Sequence, residues 1–337
     1  MEMPGNEAAR WLVRRYANLI AREQDPNVKR PIVLPNGEFF PDDFDGDAGS
    51  VNLLFWRLQE HSGLTDFDVE LRFVDDGGAE PAGGGGCSGG SCGTHAGSSG
   101  PPPVPPIVRL PDAYRVDVLL SQARTPVTMT AYLATALARV HLEETGGMDE
   151  WPADEWRATC ELGAISLGFG VLLANASYMF SKGCGGVHVD HATALQVTEV
   201  AVALSMFVAQ QEHAGRQFVS AMDPTQRAAW GEAKMWVDSN AKIIRRLKRN
   251  PEELAKDEHL EVQEAKPWLA RVLGIGGKKK RSLEVFDEDG FSQFEAEMKD
   301  RKSTPDKPAK KKDPKLDDLR ALVDESLEEA RAAQDEA

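Results

Sequence analysis

The side chains of this chain best suited to bind a metal are cysteines and histidines in two short clusters. The clusters read CSGGSCGTH and CGGVHVDH, and the candidate ligands are Cys87, Cys92, His95, Cys184, His188 and His191. Cysteine thiolates and neutral imidazoles are good zinc ligands, and four from the two clusters would complete a tetrahedral site. Against this, the C-x4-C-x2-H spacing is weakly specific, and ordering a glycine-rich segment costs about 1–2 kcal/mol per residue. Exposed reduced thiols are therefore the alternative to a structural zinc site.

A different kind of chemistry is indicated by several segments that occur in a fixed order. Residues 30–44 read RPIVLPNGEFFPDDF, residues 55–73 end in VELRF, and residues 129–144 read MTAYLATALARVHLEE. Residues 160–176 read CELGAISLGFGVLLANA, and residues 235–254 end in RRLKRNPEEL. As a set, these segments resemble a family of uncharacterised bacterial proteins built like zinc metallopeptidases.

The resemblance implies a mainly α (α+β) fold, a zincin-like helical domain with a few short strands. In such domains His-Glu-x-x-His grips zinc because side chains at i and i+4 share one helix face, and the glutamate activates the bound water. In the matching register, the two histidines fall on Thr135 and Arg139 and the glutamate on Ala136. The family's acidic residue, implied to be the third metal ligand, is kept as Glu161.

These replacements predict a degenerate site without the ordinary zinc chemistry. Thr135 is a poor zinc ligand, Ala136 cannot accept a proton, and Arg139 carries a fixed positive charge that repels a dication. A guanidinium facing a carboxylate can replace an ion between two helices, so we predict a salt bridge from Arg139 to Glu161. The alternative is that Arg139 pairs with Glu143 at i+4 on its own helix.

The predicted function is therefore non-catalytic: a pseudoenzyme that binds a peptide or protein in the old cleft, or that acts as a scaffold, with no cofactor. One alternative is a zinc-dependent hydrolase, or a zinc-stabilised protein, that uses Glu161 with ligands from the cysteine and histidine clusters. Another is a purely structural helical protein. No Walker loop, dinucleotide fingerprint or nucleophile elbow is present.

Composition and charge narrow the classes of partner. The chain has 337 residues, 41% of them hydrophobic, which suffices for a sizeable core. A net charge of −15 argues against nucleic-acid binding, which needs a positive surface. The N-terminal residues lack the apolar stretch of a secretory signal, and four cysteines do not indicate a disulfide framework. We expect a cytoplasmic protein with a peptide or protein partner and no membrane association.

Composition also divides the chain. Residues 1–76 are predicted to form the N-terminal helices and a strand of the core domain, and 107–260 its zincin-like helical part. Residues 77–106 are a glycine- and proline-rich insertion that is predicted to be disordered. Residues 261–337 are predicted to be a charged, largely disordered tail, with a short amphipathic helix near 316–333.

Apolar periodicity predicts the elements of the core. The predicted helices are Glu7–Glu23, Gly49–Ser62, Met129–Glu144, Ala153–Phe180 and His191–Gln211, with shorter ones over Pro224–Arg249; the predicted strands are Asp68–Val74 and Ile107–Leu110. Cys184 and His188 are placed in a loop between two helices. Leu133, Leu137 and Val140 are expected to face the helix that carries Glu161. That helix contains an uncharged run near the minimum length for a membrane span, but we interpret it as a core helix.

Overall fold

The structure is a computed structural model that describes residues 3–23, 28–74, 105–119, 125–183 and 186–265, with the backbone alone at 181–183 and 186–188. Residues 77–104 of the predicted insertion, residues 266–337 of the predicted tail and the side chains of Cys87, Cys92, His95, Cys184 and His188 therefore lie outside the described residues. The predictions made for them remain predictions.

The described chain is mainly helical with a few short strands, as predicted. The helices are α1 Asn6–Ala21, α2 Ala48–Ser62, α3 Pro126–Glu144, α4 Trp156–Ala164, α5 Gly170–Ala176, α6 Val197–Gln211, α7 Pro224–Ser239, α8 Ala241–Arg249 and α9 Pro251–Ala255. The strands are β1 Val69–Val74, β2 Ile107–Arg109, β3 Tyr114–Leu119, β4 Met179–Gly183 and β5 Gly186–Asp190.

The three-stranded sheet has the order β1-β3-β2, with β1 parallel and β2 antiparallel to β3. Strand β3 lies at its centre and was not predicted. It shows the alternation expected of a half-buried strand, because Tyr114, Val116 and Val118 are buried while the residues between them are partly exposed. The six-residue pattern YRVDVL therefore contained the signal that would have identified it.

Helix α3 packs against α4, as predicted, and lies at the centre of the core. Leu133, Leu137 and Val140 are fully buried. The two helices come close at Gly163, where an added Cβ would lie 3.4 Å from both Ala138 Cβ and Leu142 Cδ1. A small residue at this point allows the two backbones to approach, which fixes α4 and its side chains relative to α3.

The single helix predicted over Ala153–Phe180 is interrupted. Helix α4 runs into a π-helical turn, Ile165–Phe169, in which Gly168 has a φ of 101°. The carbonyl of Pro31 lies so close that a Cβ on Gly168 would be 2.2 Å from its oxygen, and the Val33 amide donates to the Gly168 carbonyl at 3.0 Å. Residues 30–44, here called the entry segment, thus cross the helix at a position that only glycine permits.

The run 153–176 is the one described helical stretch that is long and apolar enough to cross a membrane, and 89% of its most apolar window is buried within the protein. This burial fits the predicted core helix.

The region after residue 176 was predicted wrongly. Strands β4 and β5 form an antiparallel hairpin where a helix end and a loop were expected, with Phe180 opposite Val189. Helix α6 begins at Val197 rather than His191, because the Gln196–Glu199 capping box starts it there.

Candidate functional site

Three of the four positions of the predicted degenerate site, Thr135, Ala136 and Glu161, are buried. Thr135 and Ala136 lie on the buried side of α3, and the Thr135 hydroxyl donates to the Ala131 carbonyl at 2.8 Å. Glu161 is fully buried on α4. The structure therefore brings these residues into one pair of packed helices but does not place them in a cleft.

Glu161 pairs with Arg157 of its own helix. The Arg157 Nε donates to Glu161 Oε1 at 2.7 Å, and the amides of Ala194 and Leu195 each donate to the carboxylate at 2.9 Å. Arg157 Nη2 also donates to the Ala192 carbonyl at 3.1 Å. Burial raises the pKa of Glu161, and the Arg157 charge and the two amides oppose that rise. This pair anchors the segment before α6 onto α4.

The predicted salt bridge between Arg139 and Glu161 is wrong. Arg139 donates from Nη1 to the Pro105 carbonyl at 2.7 Å, and its Nε lies 3.6 Å from Glu143 Oε1. Its guanidinium lies 5.6 Å from the centre of the Trp156 ring. The i+4 alternative is therefore the one that forms, because Arg157 already occupies the carboxylate of Glu161. This result weakens the sequence register on which the pseudoenzyme interpretation depends.

His191 is the one candidate zinc ligand whose side chain the structure describes. Its Nδ1 lies 2.6 Å from the Ser177 carbonyl oxygen, and its ring meets Tyr178 edge-on at 5.7 Å between centroids. Among the described residues, no group of three or more histidine, cysteine, aspartate or glutamate side chains is arranged to hold a metal ion. The remaining free thiol of the described chain is buried at Cys160, where burial raises its pKa to about 12.

A mostly buried charged cluster that the sequence did not indicate ties the end of α1 to α3. Arg30 Nη2 donates to Glu23 at 2.8 Å, and His141 Nε2 lies 3.4 Å from the other oxygen of that carboxylate. Burial acts to raise the pKa of Glu23, but the hydrogen bond from His141 and the charge of Arg30 outweigh it and lower the pKa. His141 Nδ1 is buried and has no hydrogen-bond partner among the described residues, while Nε2 faces Glu23.

A further candidate site is a cavity of about 310 Å³ between the entry segment, α2 and the first turn of α3. Its lining combines apolar rings and chains with a few polar groups: Pro35, Asn36, Gly37, Phe40, Asp42, Asp43, Phe44, Ser50, Leu54, Arg57, Pro126 and Thr130. This combination of volume and chemistry is typical of a ligand pocket. None of the four degenerate-site residues lines it.

Local sequence holds the walls of this cavity in place. The Asn36 side chain accepts hydrogen bonds from the amides of Glu38 and Phe39, which turns the chain before Phe40. Asp47 caps α2 by accepting from the Ser50 amide at 2.7 Å. Pro126 starts α3 at a position where its missing N–H carries no penalty. The walls are therefore preformed.

The charges in the cavity are unevenly paired. Arg57 donates to Asp42 from Nε at 2.7 Å and to Glu60 from Nη1 at 3.1 Å, and its guanidinium lies 4.7 Å from the centre of the Trp56 ring. The hydrogen bond from Arg57 lowers the pKa of Asp42. Asp43 makes no hydrogen bond or ion pair with any described residue. One carboxylate is thus left free at the cavity.

Exposed apolar side chains flank the cavity in sequence. Leu53 and Trp56 are each 47% exposed, and Val127 is 41% exposed. They are direct sequence neighbours of the lining residues Leu54, Arg57 and Pro126, and the Trp56 ring centre lies 4.7 Å from the Arg57 guanidinium. In the sequence, the FFPDDF segment was noted only for its resemblance to the metallopeptidase-like family. Its three phenylalanines beside two aspartates were the available signal for a binding surface.

Comparisons with protein-family models, with curated proteins and with solved structures find no match to this chain. The resemblance to zinc metallopeptidases therefore remains a prediction from the sequence, and the class of protein is proposed from the geometry of the site.

Proposed function

We propose that this protein is a non-catalytic binding protein that holds an extended peptide segment of a partner in the cavity between α2 and α3. The observation that carries the proposal is the preformed cavity of about 310 Å³, lined by Phe40, Phe44 and Leu54, with the exposed Trp56 ring beside the lining residue Arg57. Exposed apolar surface next to a concave, partly polar pocket is the pattern of an interaction site.

Non-catalytic peptide binding is the class of function predicted from the sequence, but the proposed binding site is the cavity rather than the cleft of the lost metal site. Peptide binding was expected in the cleft of the lost metal site, yet Thr135, Ala136 and Glu161 are buried. Both oxygens of Glu161 already accept N–H donors, which gives the carboxylate a structural role. The cavity lies at the N-terminal end of the same helix, at Pro126 and Thr130.

An array of random hexapeptides, probed with the purified full-length protein, tests the proposal. We expect a subset to bind, with dissociation constants measurable by fluorescence anisotropy. Thr130→Trp should fill the cavity with an indole ring and weaken binding by about tenfold or more. Val108→Trp is the matched control, because Val108 is an exposed apolar residue of β2 that does not line the cavity.

Absence of hexapeptide binding, or equal binding by the wild type and a folded Thr130→Trp variant, would overturn the proposal. Metal analysis of the same preparation addresses the zinc-dependent alternative. One tightly held zinc ion per chain would favour that alternative, with the cysteine and histidine clusters as the candidate ligands.

A further inference from the structure

We infer that the cavity selects a peptide with a cationic side chain, arginine or lysine, whose charge meets Asp43 and whose apolar stem lies against Phe40, Phe44 and Leu54. This inference deepens the proposed function and rests on it. It concerns the chemistry of the ligand, which the cavity's volume alone does not specify.

The selection for positive charge follows from how the charges of the lining are paired. Asp42 is already bound by the fork of Arg57, and a second carboxylate, Glu60, accepts from the same guanidinium. Arg57 therefore has little capacity left for an anionic ligand. Asp43 is exposed and without a described partner, so it can accept a new donor without breaking an existing pair.

The surrounding sequence adds to this preference. Between Pro31 and Trp56 the acidic residues are Glu38, Asp42, Asp43, Asp45 and Asp47, and no lysine or arginine occurs there. Of the acids in this stretch, Asp42 and Asp43 line the cavity. With Arg57 included, the cavity lining carries two carboxylates and one guanidinium, a net charge of −1 that favours approach of a cation over an anionic peptide.

The shape and polarity of the walls suit a side chain that is apolar along its stem and charged at its end. Phe40, Phe44 and Leu54 supply apolar contact surface beside the carboxylate. Arginine and lysine bury their methylene stems on such surfaces while the charged group stays at a polar position. A short acidic or a purely apolar side chain would satisfy only one part of this lining.

The test uses the full-length protein and a hexapeptide that binds in the array, synthesised with arginine, its uncharged isostere citrulline, lysine or glutamate at the position that contributes most. We expect arginine and lysine to bind about fivefold more tightly than citrulline, with glutamate the weakest. Raising the salt from about 0.05 M to about 0.5 M should reduce the preference for arginine.

Two charge-neutralising variants show whether Asp43 is responsible. Asp43→Asn should bring the ratio of arginine to citrulline affinity close to one. Asp45→Asn is the matched control, because it removes the same charge two residues away from a side chain that does not line the cavity, and it should keep most of the preference.

Equal affinity for the arginine and citrulline peptides would overturn the inference, and so would an Asp45→Asn effect as large as that of Asp43→Asn. If Thr130→Trp still weakened binding in either case, the proposal of peptide binding in the cavity would be retained and only the cationic preference would be rejected. If no hexapeptide bound at all, both the peptide-binding function and the cationic preference would be rejected.

Discussion

At the scale of single residues, the pair Arg157–Glu161 shows how a buried carboxylate finds its partners. Glu161 receives a guanidinium from its own helix and two amides from the segment before α6. Glu161→Ala should lower the free energy of unfolding by about 3–5 kcal/mol, because it removes the carboxylate that compensates the buried Arg157 charge and accepts from both amides. Urea denaturation monitored by circular dichroism measures this loss.

Two further variants separate this arrangement from the one predicted from sequence. Arg139→Met should be much less destabilising than Glu161→Ala, since Arg139 is bound to Pro105 and Glu143 instead. An Arg157→Met, Glu161→Leu double variant should recover only part of the loss, because the Ala194 and Leu195 amides still lack an acceptor. A loss in Arg139→Met equal to that in Glu161→Ala would contradict the observed pairing.

Gly168 is a residue whose backbone conformation is decided by a distant segment. Gly168→Ala combines a positive φ with a Cβ only 2.2 Å from the Pro31 oxygen, so it should destabilise by more than the about 1–3 kcal/mol of backbone strain alone. Gly231→Ala is the control of opposite sign. Gly231 lies within α7 with open space around it, and alanine there should stabilise by about 0.5–1 kcal/mol. Thermal melts of the two variants should shift in opposite directions.

At the scale of elements, α3 combines two roles along one helix. Its middle is packed on α4, and its first turn borders the cavity. Leu137→Ala should lower the free energy of unfolding by about 2–5 kcal/mol, since it removes a fully buried side chain from a packed site. Val127→Ala, at the exposed end, should leave stability within about 0.5 kcal/mol of wild type. An unchanged melt for Leu137→Ala would contradict the packing.

At the scale of the whole molecule, the Glu23 cluster links α1, the entry segment and α3, and it makes stability depend on pH. Because the pKa of Glu23 is lowered in the folded protein, its ionised form stabilises the native state above the unfolded pKa of about 4.3. This contribution is lost as the pH falls through the folded pKa. Glu23→Gln should therefore be less stable than wild type at pH 7, and the difference should shrink in acid.

The control for this prediction is an ion pair whose carboxylate is exposed. Glu150→Gln removes the partner of Arg22, but Glu150 is largely solvent-exposed, so its effect should be small at every pH. Equal pH profiles for the wild type and Glu23→Gln would show that the buried cluster does not couple folding to protonation.

The sequence by itself determined where the main helices run and which faces they bury. The spacing of Leu133, Leu137 and Val140 predicted the packing of α3, because apolar periodicity reports directly on which side of a helix is removed from water. The same reasoning identified β1 and β2, although it overlooked the equally regular pattern of β3 and did not predict the hairpin of β4 and β5.

Only the tertiary structure decided which groups meet. Either Arg139 or Arg157 could have paired with Glu161 on charge alone. Arg157 is its partner because it lies four residues earlier on the same helix and because the loop from Ala192 to Leu195 packs against both side chains. The cavity likewise requires the entry segment to lie beside α2 and α3, which are far apart in sequence. A periodic pattern indicates burial, whereas ion pairs and pockets depend on approaches of a few ångströms between distant segments, and no local pattern encodes those.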